Sequence, residues 1–230
     1  MSLAGEVQGA ISSVPGFDCD TALSADLARQ FFSQGYKFCL RYLPKRQVTS
    51  QDLTLQEATD ILTSGLALMP VQHGPKQGWF ADRALGQQQG REASANAKTI
   101  GFPDGVNLWC DVEGVNRSAQ AQDVLDYCEA WYEAVSAAGY TPGMYVGAGT
   151  LLNGRQIYDL PFRHYWRSQS QVPDIPHRGY QLIQLGPSVE INGVWVDLDV
   201  ALNDSQGGAA RWLRMPPDYG RMTSSPSIIR

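Results

Sequence analysis

The chain has 230 residues, 43% of them hydrophobic, and a formal net charge of −5 at pH 7. That length and apolar content suit one sizeable core, and a single α/β barrel fits within them. Mild acidity without a basic stripe excludes a nucleic-acid partner, and the absence of any bilayer-length apolar run excludes a membrane span.

Residues 1–13 carry neither a basic n-region nor a long apolar core, so no signal peptide is expected. The four cysteines, Cys19, Cys39, Cys110 and Cys128, show no CxxC spacing and are expected as buried reduced thiols.

Gly16 to Asp20 reads as a first strand with Asp18 near its end. Ser24 caps a helix over Ala25 to Gln34, which Gly35 stops. Lys37 to Leu43 is a second strand, closed by Pro44. Thr54 and Glu57 have capping-box spacing and open a helix ending at Gly65. Leu66 to His73 is a third, continuously apolar strand. A loop rich in Gly, Pro and Gln, Gly74 to Phe80, carries Trp79. Asp82 opens a long helix to about Thr99, interrupted in pattern by Gly86 and Gly90.

Val106 to Glu113 is the fourth strand, and its sequence Leu108-Trp109-Cys110-Asp111-Val112-Glu113 ends in two acids. Alternation puts Trp109, Asp111 and Glu113 on one face. Ser118 caps a helix whose Val124, Leu125, Cys128, Trp131, Tyr132 and Val135 recur at helical spacing; Gly139 ends it. Gly143 to Val146 is a fifth strand. Residues 148–162 are weakly helical. His164 to Gln169, Tyr180 to Leu185 and Val194 to Val200 are the sixth, seventh and eighth strands, the last two joined through a turn at residues 190–193. Residues 209–215 are expected as a last helix. The division is an N-terminal extension over 1–15, one barrel domain over 16–215 and a tail over 216–230. Eight strands whose helices thin out in the second half predict a modified (β/α) TIM-like barrel. An open doubly wound sheet is the alternative, but no Gly-rich phosphate loop follows any strand.

In such barrels the functional face lies at the strands' C-terminal ends. Asp18, Asp111 and Glu113, and Asp197 and Asp199 then ring one mouth. Buried acids are costly, and glycoside hydrolysis is the chemistry that uses them: one carboxyl stays protonated to donate to the leaving oxygen, another stays ionised. Close carboxyls push their pKa values apart, which permits that division. Glu113, with the longer reach, is the candidate acid and Asp111 its ionised partner; Asp18 and Asp197 orient or polarise the sugar. Trp79, Tyr145 and Trp166 are candidate sugar contacts, whereas Trp109 and Trp195 are expected as interior packing. Arg41 is expected to pair with the acids, and His73, at the end of the third strand, faces the pocket. No metal site or cofactor is expected, and the histidines are too scattered to suggest one.

The ordered set Gly16-Phe17-Asp18, Leu108-Trp109-Cys110-Asp111-Val112-Glu113, Pro142-Gly143-Met144-Tyr145, Tyr165-Trp166, Ile183-Gln184 and Val196-Asp197-Leu198-Asp199-Val200 resembles the family 25 glycoside hydrolases, the barrel muramidases. It is more similar still to their relatives, the glycoside-hydrolase-like domains of unknown function. The resemblance implies a barrel with late antiparallel strands and cleavage of the β-1,4 bond between N-acetylmuramic acid and N-acetylglucosamine. It implies Glu113 as proton donor, Asp111 as its acidic partner, Asp18 and Asp197 as flanking acids, and Gln184 and Asp199 at the sugar. Asp199 stands where the muramidases usually have asparagine. The second strand, Cys39-Leu40-Arg41-Tyr42, lacks the lysine and glutamate of the muramidases, and the third ends Gln72-His73-Gly74 rather than in their tyrosine-histidine-aromatic set. Both departures align the chain with the uncharacterised relatives.

Three functions compete at this point: a peptidoglycan hydrolase, a carbohydrate-binding barrel without turnover, and a metal-dependent hydrolase holding Mg²⁺ or Ca²⁺ through the acids. The expected partner is a polysaccharide, and the expected state is a soluble monomer. Without a visible leader, action on a cell wall implies another export route or a phage origin.

Overall fold

Eight strands close on themselves in the computed structural model, which describes residues 2–44 and 49–216. In chain order the elements are β1 (Glu6–Gly9), β2 (Val14–Cys19), α1 (Ala25–Ser33), β3 (Phe38–Tyr42), α2 (Leu55–Ser64), β4 (Ala67–Gln72), α3 (Arg83–Ile100), β5 (Asn107–Val112), α4 (Ala121–Ala137), β6 (Thr141–Val146), α5 (Gly154–Asp159), β7 (His164–Arg167), β8 (Leu182–Ile191), β9 (Val194–Ala201), β10 (Asn203–Asp204), β11 (Gly208–Ala209) and β12 (Arg211–Arg214). Strands β2 to β8 pair in parallel, each with the next. Then β9 closes the barrel antiparallel to both β8 and β2. The expected TIM-like barrel is the one observed.

Local chemistry accounts for the helices. Ser24, Thr54 and Asp82 side chains accept from the backbone N–H groups of Leu27, Glu57 and Leu85, satisfying donors left free at helix starts. Helix α3 runs unbroken through Gly86 and Gly90 because α4 passes close by: a side chain at Gly86 would meet the Tyr127 carbonyl oxygen. Helix α4 starts later than Ser118. The Ser118 backbone N–H and hydroxyl both bond to Asn116 Oδ1 (2.9 and 2.7 Å), which commits that residue to a turn. Asn153 and Gln156 form a capping box that makes α5 definite.

The second half has lost helices as expected. No helix lies between β7 and β8, and β8 turns into β9 through Asn192 and Gly193, both at positive φ (55° and 78°), the geometry of a tight hairpin. Strand β8 extends past the expected seventh strand to Ile191, with a register shift between Leu185 and Val189, so this hairpin stands above the barrel rim.

The expected C-terminal helix is a strand instead. Arg211 to Arg214 pairs with β1 and, through Leu213, with Leu68 of β4. The segment is too short to repay helix nucleation, and alternation sends Trp212 into the barrel and Leu213 to the outer layer. The expected tail, from residue 217 onward, lies outside the described residues.

Two cores result. Phe38, Leu40, Met69, Val71, Trp109, Trp166 and Trp212 fill the barrel interior. Cys39, Leu68, Leu108, Cys110 and Val112 face outward against Phe31, Ile61, Tyr127 and Trp131 of the helices. All four cysteines are free and buried. Among the described residues no helix is long and apolar enough to cross a membrane.

Candidate active site

A cleft of about 450 Å³ opens at the C-terminal ends of the parallel strands. Asp18, Asp111, Glu113 and Asp197 line it, with Tyr42, His73 and Trp195. Strand β2 delivers Asp18 and β5 delivers Asp111, with Glu113 one residue past its end. Because β9 runs antiparallel, the mouth is near its start. Asp197 reaches the rim, directly opposite Asp18, while Asp199 lies opposite Gly16, one layer deeper. Of the five acids expected around the mouth, four line the cleft.

Gln184 sets the arrangement of two of them. Its Oε1 accepts from the Tyr145 hydroxyl (3.0 Å) and the Gln169 backbone N–H (3.3 Å). Its Nε2 is thereby turned toward the acids, donating to Asp18 Oδ2 at 2.8 Å and Asp197 Oδ2 at 3.3 Å. Ser188, in the bulge of β8, donates its hydroxyl to Asp197 Oδ1. Asp111 Oδ2 accepts from the Gly74 backbone N–H at 3.0 Å. Glu113 stands at the rim against Gly147, where an added Cβ would overlap Glu113 Cβ and lie 2.7 Å from its Oε2; only glycine leaves this space. The Glu113 carbonyl is held from below by Trp79 Nε1 (2.7 Å).

The electrostatics separate the acids. Burial, then the Asp197 charge, raises the Glu113 carboxyl above its ordinary value. Burial pushes Asp18 up to about 7; hydrogen bonds from Gln184, Asp199 and Tyr42 act the other way, and the Asp197 charge adds to the rise. Asp199 is raised further, by burial and then by Asp18. Burial also holds the Tyr42 and Tyr145 phenols well above their usual range, so both serve as neutral hydrogen-bonding groups. A cleft with one acid that retains its proton beside others that accept hydrogen bonds can run general acid chemistry.

The remaining expected site residues divide. Tyr145 and Gln184 belong to the network. His73 lines the cleft, with Nε2 3.1 Å from Asp52 Oδ1 and its ring stacked on Tyr42 at 4.6 Å. Trp166 is fully buried and donates Nε1 to Asp199 Oδ1 at 2.8 Å, below any sugar. Trp79 is buried edge-on against Tyr127 and supports the loop after β5.

Arg41 does not reach the acids. It faces outward on β3, fully buried, with Nε 2.7 Å from Glu57 Oε1 and further bonds to the carbonyls of Cys19 and Gln51. Strand alternation is the reason: Leu40 and Tyr42 take the inner face, leaving Arg41 with Cys39 on the outer one. Trp195, expected as packing, is instead 61% exposed on the β9 rim above Asp197. Its spacing two residues from Asp197 was the available signal. Ser188 and Tyr42 were also missed.

Among the described residues no group of three His, Cys, Asp or Glu side chains is arranged to hold a metal ion.

Comparison with known proteins adds a family. The chain is similar to the Mycobacterium tuberculosis Tat-secreted protein Rv2525c, solved in complex with L-tartrate, with 18% identity, a TM-score of 0.65, and coverage of 86% of this chain and 99% of that one. It is similar to an uncharacterized B. stearothermophilus protein at 20% identity and a TM-score of 0.59, over 82% of this chain and 95% of that one. A family 25 glycosyl hydrolase from Bacillus anthracis matches at 15% identity and a TM-score of 0.56, over 84% and 91% of the two chains. At these identities the likeness establishes the fold. No curated protein matches. The model of the Rv2525c-like, glycoside hydrolase-like domain matches residues 29–194, most of the barrel from α1 to the start of β9. By that match the chain belongs to the Rv2525c-like glycoside hydrolase-like domain family.

Proposed function

We propose that this domain is a glycoside hydrolase that cleaves peptidoglycan or a related N-acetylated polysaccharide, with Glu113 as the proton donor. One observation carries the reading: the carboxyls of Asp18, Asp111, Glu113 and Asp197, with Asp20 beside them, line a single cleft, and Glu113 at its rim holds its proton more tightly than a free glutamate. Glu113 protonates the leaving oxygen. Positive charge that develops on the departing sugar ring is met by Asp111 and Asp197. Asp18, pinned by Gln184, orients the polar substituents of the ring, and Trp195 offers an aromatic face at the rim. His73 and Tyr145 complete the wall.

The lysozymes and muramidases among the similar folds support the polysaccharide as substrate class. Peptidoglycan lies outside the cytoplasm, so this reading requires action there, in keeping with the Tat secretion of the mycobacterial relative.

The test is reducing-end release from purified cell walls by wild type and Glu113→Gln. The expected result is turnover by wild type and a loss of about a hundredfold to ten-thousandfold in the variant, with unchanged thermal melting. Wild-type protein that binds glycans without cleaving any of a broad panel would replace this reading with a carbohydrate-binding barrel.

A further inference from the structure

The layer beneath the cleft holds one acid more than the mouth uses. Asp199 is buried, 1% exposed, on the inner face of β9. Its Oδ1 accepts from Trp166 Nε1, but its Oδ2, also buried, meets no donor. Asp18 lies on the adjacent strand, one residue pair nearer the mouth, and its side chain shares the inner face with that of Asp199. Two ionised carboxyls only accept and repel, so neighbouring buried acids on one face come together only if one of them carries hydrogen.

The surroundings say which. Asp18 Oδ2 is met by the Gln184 Nε2 donor at 2.8 Å, so Asp18 is the acceptor. Asp199 has an oxygen that nothing donates to, the mark of a carboxyl that is itself the donor. We propose that Asp199 is a neutral carboxylic acid whose hydrogen points to Asp18, a positioning residue that keeps its own proton to higher pH than Asp18 does and aims Asp18 into the cleft.

The charged groups acting on Asp199 are Asp18 on β2 and Asp197 on β9, both acidic, and each opposes its ionisation. On β3 the buried cation, Arg41, turns away to Glu57. The phenols of Tyr42 and Tyr145 stay neutral. The protonation state does not depend on the hydrolase reading; only its use in orienting Asp18 during turnover rests on that reading.

The experiment compares the pH dependence of folding in wild type and Asp199→Asn, whose amide keeps the shape and an N–H for Asp18 but cannot ionise. An unfolded aspartate releases its proton near 3.8, whereas a native Asp199 that keeps it holds one proton more above that pH. The wild-type folding constant, relative to the variant, should then fall by close to tenfold per pH unit between about pH 4.5 and 7.5. A ratio that stays flat over that range overturns the proposal.

Infrared spectroscopy of wild type labelled with ¹³C only in aspartate covers the case in which Asp199→Asn does not fold. A deuterium-sensitive carboxylic-acid band is expected at neutral pH and should persist in Asp18→Asn. Absence of the band, or its loss in Asp18→Asn, overturns the assignment. None of these readouts needs turnover, so an inactive wild type would refute the hydrolase reading while leaving the proton assignment to be decided.

Discussion

Asp18 and Asp197 face each other directly across the antiparallel β2–β9 pair. Like charges opposite one another destabilise a sheet, yet here a single amide, Gln184 Nε2, donates to both. That amide cannot flip without losing the Tyr145 and Gln169 donors on its oxygen.

Replacing Gln184 with leucine removes the bridge and strands two acceptors. A loss of about 1–3 kcal/mol of stability is expected, larger at pH 8 than at pH 5, because protonation at the lower pH relieves the repulsion. Urea titrations at both pH values measure it; an equal loss at each would show that the bridge does not act on charge.

The raised acids predict the pH dependence of wild type. Asp18 has an ordinary value of 3.8 and a folded value of about 7. The folded state holds the proton where the unfolded chain has released it, so this contribution is fully present below about 3.8 and is lost as pH climbs toward 7. The swing is on the order of 4 kcal/mol. Melting temperatures should fall from pH 5 to pH 8, and Asp18→Asn should flatten the decline.

If Glu113 is the donor, activity falls as pH rises through its raised value, since only the protonated form donates. Asp197→Asn removes a charge that lifts that value. The alkaline limb of the pH–rate profile should therefore move to lower pH in Asp197→Asn.

Gly147→Ala places a methyl where Glu113 now rests. The first clash is with Glu113 Cβ, so the backbone carrying Glu113 must shift with its carboxyl, and a displacement of about 1 Å can cost about a hundredfold in rate. Reducing-end assays should show that loss, and calorimetry a lowered melting temperature from the overpacking, about 1–3 kcal/mol.

Arg41 and Trp195 make opposite predictions. Arg41→Ala leaves Glu57 buried without its partner and should cost about 3–5 kcal/mol of stability, read from the urea midpoint, with glycan affinity of the folded protein unaltered. Trp195→Ala, at an exposed rim position, should leave the midpoint unchanged and weaken glycan binding by about 1 kcal/mol, read by calorimetry. A reversal of the two outcomes would restore Arg41 to the site.

These two residues also show what was legible in the sequence. The acids stood out because a charge at the end of an apolar run is costly wherever it points. Their spacing of two fixed a shared face for Asp111 with Glu113 and for Asp197 with Asp199. The inner and outer faces of a barrel strand are both apolar, however, so alternation alone does not say which face looks inward. Arg41 was misplaced for that reason. Trp195 was misplaced because β8 and β9 continue above the rim, where an inward-facing side chain meets solvent rather than core. The direction of β9 decides how deep an acid lies, and the turn at residues 190–193 and the resemblance both pointed to it. The C-terminal strand was hidden because its partners, β1 and β4, are remote in the chain.

The β1–β12 ribbon pairs Glu6 with Arg214 at the pole of the barrel away from the acids. The start of β1 and the end of β12 thus lie side by side. A short linker between those two strands would join them without disturbing a barrel strand, so circular permutants opened in the exposed turn at Asn192 and Gly193 should still fold. By the same geometry, a partner fused at either strand hangs beneath the barrel and leaves the cleft facing outward.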